Sequence, residues 1–151
     1  MIDELRDLYQ ATILDHNRKP RNFRVLENPD RHADGHNPIC GDQLTVFLNV
    51  EEDRVKDIAF QGTGCAISVA SASLMTDFVQ GKTLEEVEEE FERFHKMVTS
   101  EPGSPVDAPE LGKLKVFSGV REFPMRVKCA TLAWHTLRSA LKQDDSVART
   151  E

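Results

Sequence analysis

The sequence contains no apolar run near the roughly 20 residues that a membrane-spanning helix needs. Its opening, MIDELRDLYQ, has neither the basic start nor the apolar core of a secretory signal. It also has no surplus of basic residues, since 19 Lys and Arg stand against 26 Asp and Glu, for a formal net charge of −7. A protein that binds nucleic acid needs a basic face. We therefore expect a cytoplasmic protein that binds neither membranes nor nucleic acid.

Cysteine is scarce, with three residues in the chain, Cys40, Cys65 and Cys129. None of them forms a CxxC pair, and an odd number cannot all pair within one chain. The cytoplasm also keeps thiols reduced, which argues against a disulfide framework. Cys129 alone could be a small core hydrophobe. Cys40 is harder to assign to a core, because Pro38 and Gly41 break regular structure around it.

Hydrophobic spacing predicts a single α+β domain over residues 1–142, with a small antiparallel sheet packed against helices, and a flexible C-terminal tail over residues 143–151. A first helix is expected over residues 3–16, followed by a long irregular connection. Apolar residues then occur at every second position in DQLTVFLNV and RVKDIAFQG, which are joined by the polar EED. This alternation predicts an antiparallel hairpin with one face packed against the core and the other exposed to solvent.

Three further helices are predicted after the hairpin. GTGCAISVASASLMTDFVQGK gives a helix that ends at Gly81 and has a flank of small residues, past which another backbone could approach closely. TLEEVEEEFERFHKMV begins with a capping box of Thr83 and Glu86. The last helix begins at Pro124, and five of its residues are expected to point inward: Met125, Leu132, Ala133, Leu137 and Leu141.

The predicted hairpin brings three polar residues to one end of the sheet. Cys40 and Asp42 come just before its first strand, and Cys65 comes just after its second. The outer ends of an antiparallel hairpin lie side by side. Cys129 would join them if the first turns of the last helix packed across that end. Three thiols and a carboxylate have the number and type of ligands that zinc favours, while thiolates also suit iron–sulfur clusters.

Four stretches of the chain resemble the IscU/NifU family of iron–sulfur cluster assembly proteins: LYQATILDHNRKPRNF, NPICGDQLTVFLNV, IAFQGTGCAISVASASLM and FPMRVKCATLAWHTLRSAL. Two features depart from the housekeeping scaffold branch. Lys128 replaces the His that this branch has before the third cysteine, and the 63 residues between Cys65 and Cys129 exceed its spacing by about a helix and a loop. Both features are typical of the SufU-type branch.

The SufU resemblance implies a zinc-dependent sulfurtransferase. Cys40, Asp42, Cys65 and Cys129 would hold zinc, and Cys40 would also accept sulfur from the persulfide of a SufS-like, pyridoxal-phosphate-dependent cysteine desulfurase. Arg126 matches a basic position near the zinc site, where it would balance the thiolates or steer the persulfide. Downstream iron–sulfur assembly proteins would receive the sulfur.

Other interpretations stay open at this point. The same thiolates could assemble a [2Fe-2S] or [4Fe-4S] cluster on a scaffold, or the chain could be a zinc-stabilised adaptor without chemistry. His16 could contact a partner or be a polar residue at a helix end. His32 and His36 could bind zinc, although four better-matched ligands exist. The serines of the second helix have no base in register, so a serine nucleophile is not expected.

Overall fold

The computed structural model describes residues 2–142 and 148–149, with side chains described over residues 9–142. The elements in chain order are helix α1 Ile2–Arg18, strands β1 Arg31–Asn37, β2 Asp42–Glu51 and β3 Arg54–Thr63, helices α2 Ala66–Val79 and α3 Leu84–Val98, a 3₁₀ segment Pro109–Glu122, helix α4 Pro124–Leu141 and the short strand β4 Ala148–Arg149. The predicted α+β class, with an antiparallel sheet packed against helices, is confirmed.

The sheet has the strand order β3-β2-β1-β4. The predicted hairpin is confirmed, because β2 and β3 pair antiparallel with Val46 opposite Phe60. Strand β1 is a correction, since the sequence predicted an irregular connection there, yet it pairs antiparallel with β2 along its whole length. Its inward residues are Ala33, Gly35 and Asn37, which give no hydrophobic alternation to detect.

Gly35 shows why the inward side of β1 must be small. A Cβ atom at this position would overlap the Thr136 hydroxyl of α4 and come within 3.2 Å of Leu132 Cδ1. Helix α4 packs directly against β1 and β2. The close approach of the helix therefore requires glycine at this point of the strand, which replaces the usual large apolar residue.

The core lies between the inward face of the sheet and the helices α2 and α4, with α1 packed on α2. The small flank of α2 does admit a close neighbour, as predicted, because Ser71 Oγ donates a hydrogen bond to the Ala130 carbonyl of α4 at 2.5 Å. Trp134 is buried and stacks on Phe94, with ring centroids 5.0 Å apart.

Helix α3 starts as predicted, with both hydrogen bonds of the Thr83–Glu86 capping box present. The inward prediction for Met125 is wrong, because its side chain is 52% exposed. The first turn of α4 lies outside the core, and Cys129 is the first buried residue of that helix. Helical spacing identified the buried stripe but not the point at which the helix enters the core.

The chain end is described only in part. Ala148 and Arg149 pair with Gly35 and His36 as a short parallel strand beside β1. The other residues of the predicted flexible tail, 143–147 and 150–151, lie outside the described residues, so that the flexibility of the tail stays a prediction. Among the residues that are described, no helix is long and apolar enough to cross a membrane.

Candidate metal and sulfur site

Cys40 lies in the tight connection between β1 and β2. Asn37 and Asp42 are paired across the two strands, which leaves four residues, 38–41, to reverse the chain. Gly41 has a φ of +73°, a conformation that glycine adopts without steric cost. The turn holds the Cys40 thiol at the end of the sheet, half-buried, beside the exposed side chain of Ile39. A thiol in this place has solvent on one side and the sheet on the other.

Asp42 is the first residue of β2 and is fully buried. Its Oδ1 accepts a hydrogen bond from the backbone N–H of Cys65 at 2.8 Å, and its Oδ2 accepts a longer one from Asn37 Nδ2 at 3.4 Å. A Cβ atom on Gly64 would come within 2.7 Å of Asp42 Oδ1. The carboxylate therefore joins the ends of β1 and β3 and depends on a glycine beside it.

Cys65 is the N-cap residue of α2, and no side-chain hydrogen bond caps this helix. The thiol is half-buried. Its position places it at the positive end of the helix dipole. The strand-to-helix corner that the sequence predicted around Cys65 is thus confirmed by the order of β3 and α2.

Cys129 reaches the site from α4 and is fully buried. Its Sγ lies 3.4 Å from Cys40 Sγ and accepts a hydrogen bond from Asn37 Nδ2 at 3.7 Å. Burial raises the pKa of the Cys129 thiol strongly, and the neighbouring Cys40, Cys65 and Asp42 raise it further. These surroundings disfavour a thiolate at Cys129 unless a positive charge lies beside it.

The ligand atoms of Cys40, Asp42 and Cys129 all lie within 4.8 Å of one another. Two sulfur atoms that share one tetrahedral zinc ion stand about 3.8 Å apart, since each lies about 2.3 Å from the metal. The sulfur separation of 3.4 Å in this structure is close to that value. Cys65 is outside this three-residue group, but its thiol is near enough to interact with Cys129. The donors fit a divalent cation such as zinc.

Two basic residues precede Cys129 in α4. Arg126 is exposed and lies three residues before Cys129, on the same side of the helix. Over residues 9–142 its side chain makes no hydrogen bond or ion pair, and therefore none with the predicted ligands. Lys128 is half-buried and directly precedes Cys129. The role predicted for Arg126 stays a prediction.

The other predicted polar residues lie elsewhere. His16 is buried, with Nδ1 2.7 Å from Ser73 Oγ, and burial lowers the pKa of this histidine. No base was predicted in register with the serines of α2, and the histidine that contacts Ser73 comes from α1. Ser73 is fully buried and also accepts the Arg21 backbone N–H. The pair is a buried hydrogen bond that joins α1 to α2. His32 and His36 occupy outward positions of β1, outside the three-residue group of possible ligands.

Asn37 is a site residue that the sequence did not reveal. It is fully buried, and its amide nitrogen faces both Asp42 and Cys129. Asn37 could have been identified as an inward residue only after β1 was recognised as a strand, because Ala33, Gly35 and Asn37 then fall on the same face.

Comparison with known proteins identifies the family of the chain. Residues 8–143 match the family model of the NifU-like N-terminal domain. The chain is 39% identical, over 94% of its length and 87% of the other, to the iron–sulfur cluster assembly scaffold protein IscU of Streptococcus pyogenes serotype M1. It is 38% identical, over 93% of its length and 94% of the other, to the zinc-dependent sulfurtransferase SufU of Bacillus subtilis.

A solved structure from Fervidobacterium islandicum AW-1, described as a candidate iron–sulfur cluster assembly scaffold protein for the SUF system, superposes with a TM-score of 0.80. It is 35% identical and the match covers 86% of this chain and 93% of the other. The resemblance predicted from the four sequence stretches is confirmed by these matches.

Proposed function

Because the chain belongs to the IscU/NifU family of iron–sulfur cluster assembly proteins, we propose that it is a zinc-dependent sulfurtransferase of the SufU type. In this role it accepts sulfur from a SufS-like, pyridoxal-phosphate-dependent cysteine desulfurase and passes it to downstream iron–sulfur assembly proteins. The single observation that carries the proposal is the position of Cys40. Its thiol lies in a surface turn but within 3.4 Å of a second, fully buried thiol.

Cys40, Asp42, Cys65 and Cys129 would hold the zinc ion. When bound, zinc supplies positive charge that keeps thiols ionised at neutral pH, and it has no redox chemistry that could oxidise a persulfide. The convergence of the Cys40, Asp42 and Cys129 ligand atoms within 4.8 Å of one another supports this assignment. Burial and the neighbouring groups raise the pKa of the Cys129 thiol, so that its ionisation calls for a nearby cation.

Cys40 performs the transfer as a nucleophile. Its thiolate attacks the outer sulfur of the desulfurase persulfide, and a new S–S bond forms between that sulfur and Cys40 Sγ. The S–S bond of the donor breaks, and its electron pair leaves on the donor cysteine as a thiolate. The exchange consumes no oxidant or reductant, and the Cys40 side is left as a persulfide.

The surface around Cys40 suits a protein donor. Ile39, Phe123 and Met125 are more than half exposed; Ile39 adjoins Cys40, and the other two lie in the residues that lead to Cys129. Exposed apolar side chains next to a reactive group support protein docking. Arg126, exposed in the same turn of α4, would attract the anionic persulfide.

An iron–sulfur scaffold is the second candidate function. Cysteine thiolates are the usual ligands of such clusters, and the S. pyogenes relative is named as a scaffold. Lys128 in place of histidine and the long spacing between Cys65 and Cys129 favour the transfer function.

Elemental analysis of the purified protein, combined with a desulfurase assay, tests the choice. We expect one zinc per chain and faster cysteine turnover by a SufS-type desulfurase when the protein is added. Iron with acid-labile sulfide would favour the scaffold, whereas a protein that binds no metal and leaves the desulfurase unchanged would contradict both. Protein with Cys40→Ala serves as the control, because it lacks the acceptor thiol.

A further inference from the structure

We propose that Asn37 is a positioning residue whose side-chain amide stabilises Asp42 and Cys129, the two buried ligands that keep their place when Cys40 leaves to accept sulfur. The proposal rests on the sulfur-transfer function above. Asn37 itself does not touch the donor persulfide, and it acts through the two residues it contacts.

The contacts of Asn37 define this role. Its Nδ2 lies 3.4 Å from Asp42 Oδ2 and 3.7 Å from Cys129 Sγ. The first is a long hydrogen bond, and the second is an ordinary distance for the larger sulfur atom. One amide group has two N–H donors, so it can serve the carboxylate and the sulfur together. Among the described side chains, that of Asn37 makes no hydrogen bond to Cys40.

The orientation of the amide is determined by its neighbours. The opposite orientation would place the carbonyl oxygen of Asn37 against a carboxylate oxygen and a sulfur, both of which are acceptors when ionised. In the observed orientation Asn37 Oδ1 is buried without a hydrogen-bond partner. A buried, unpaired carbonyl is costly, so this side chain is poorly suited to simple packing. Its cost is offset by the two donors that it offers to anionic groups.

The charge of the ligand set explains the need for such donors. Three thiolates and one carboxylate carry four negative charges, of which a zinc ion cancels two. The backbone N–H of Cys65 supplies one donor to Asp42, and the amide of Asn37 supplies the others. Hydrogen bonds to the outer side of metal ligands orient them and tune their binding. The Asn37 donors act at the base of the turn that carries Cys40, where Asn37 and Asp42 are paired across β1 and β2.

The test compares the zinc affinity of wild-type protein, Asn37→Leu and Asn37→Ala, measured by competition with a chromophoric chelator. Both variants remove the N–H donor without adding a charge, and the smaller alanine decides the question if Asn37→Leu does not fold. We expect zinc to bind at least tenfold more weakly to each. Thr136→Val is the matched control, since Thr136 is also fully buried where α4 meets β1, and its zinc affinity should change less than threefold.

A second readout separates positioning from structure. Without zinc, Asn37→Leu should change the melting temperature little, because it removes an unpaired buried carbonyl together with the long 3.4 Å hydrogen bond to Asp42. A residue that only supports the fold would lower this temperature instead. The zinc defect should persist in a Cys40→Ala background, because the contacts go to Asp42 and Cys129.

Three results would overturn the proposal: unchanged zinc affinity in both variants, a zinc defect that disappears with Cys40→Ala, or a metal-free form destabilised in step with zinc loss. If wild-type protein binds zinc and the Asn37 variants bind it equally well, this inference alone fails. If wild-type protein binds no zinc, the proposed function fails with it.

Discussion

The two sulfur atoms that lie 3.4 Å apart belong to very different parts of the molecule. Cys129 is fully buried in α4, within a helix packed against two strands of the sheet. Cys40 is half-buried in a four-residue turn, beside an isoleucine that is 53% exposed. Displacing Cys129 would disturb the core, whereas displacing Cys40 requires movement of a short surface turn.

From this difference we expect the two cysteines to have different roles in the proposed site. A metal site whose ligands were all buried in the core would be suited to structure alone. At the proposed site one side consists of buried groups joined by hydrogen bonds, and the other side lies in a surface turn. We expect substitutions on the two sides to separate metal binding from sulfur acceptance.

The largest effect should come from replacing each of the two cysteines, Cys40 and Cys129, by alanine in separate variants. Cys40→Ala should reduce sulfur acceptance more than a hundredfold while the protein still binds zinc, because the fully buried Asp42 and Cys129 stay in place. Cys129→Ala should lose zinc. At a free zinc concentration about a thousandfold above Kd, binding adds about 4 kcal/mol to the free energy of unfolding, or about 10 °C in Tm. That zinc-dependent rise, abolished by a chelator in wild-type protein, should be missing in Cys129→Ala.

The measurements are persulfide transfer from the desulfurase, zinc content, and Tm with and without chelator. The same substitution is made at both positions, so each variant is the control for the other. Equal zinc loss in both variants would end the distinction between a fixed and an exchangeable side.

A smaller effect is expected from Gly64→Ala, which acts on the fixed side. The new Cβ would come within 2.7 Å of Asp42 Oδ1, and the carboxylate must shift away from the Cys65 N–H. Overpacking of this kind costs about 1–3 kcal/mol of stability, and zinc affinity should fall about tenfold. Chemical denaturation and chelator competition measure the two changes.

Gly119→Ala is the control, because a Cβ atom there has no neighbour within 4 Å. Its stability should stay within about 0.5 kcal/mol of wild type, with zinc binding unchanged. A Gly64→Ala protein with wild-type zinc affinity would show that the position of Asp42 does not matter for the metal.

The smallest effect is expected from Arg126→Ala, at the exposed rim. The residue carries charge toward an anionic donor, so its loss should slow sulfur acceptance several-fold at low salt and less at high salt, where charges are screened. Zinc content and Tm should not change, because the side chain makes no hydrogen bond or ion pair over residues 9–142. Arg126→Lys should keep most of the rate, and a loss of zinc in Arg126→Ala would place the residue in the metal site instead.

Much of the fold could be predicted from periodicity. The hairpin of β2 and β3 and the helix α3 have large apolar residues at regular spacing, and their identification was correct. Strand β1 was missed because its inward positions hold Ala33, Gly35 and Asn37, which carry no hydrophobic signal. Asn37 could not be recognised as a site residue until that strand was known.

The order of residues along the chain was enough to place Cys40, Asp42 and Cys65 at one end of a hairpin, because antiparallel pairing brings its outer ends together. Tertiary packing decided the remainder. It set the depth at which α4 enters the core, which leaves Met125 exposed and Cys129 buried, and it brought the Asn37 amide against Asp42 and Cys129. Local sequence determines the period and ends of an element, whereas its depth and rotation depend on neighbours that are distant along the chain.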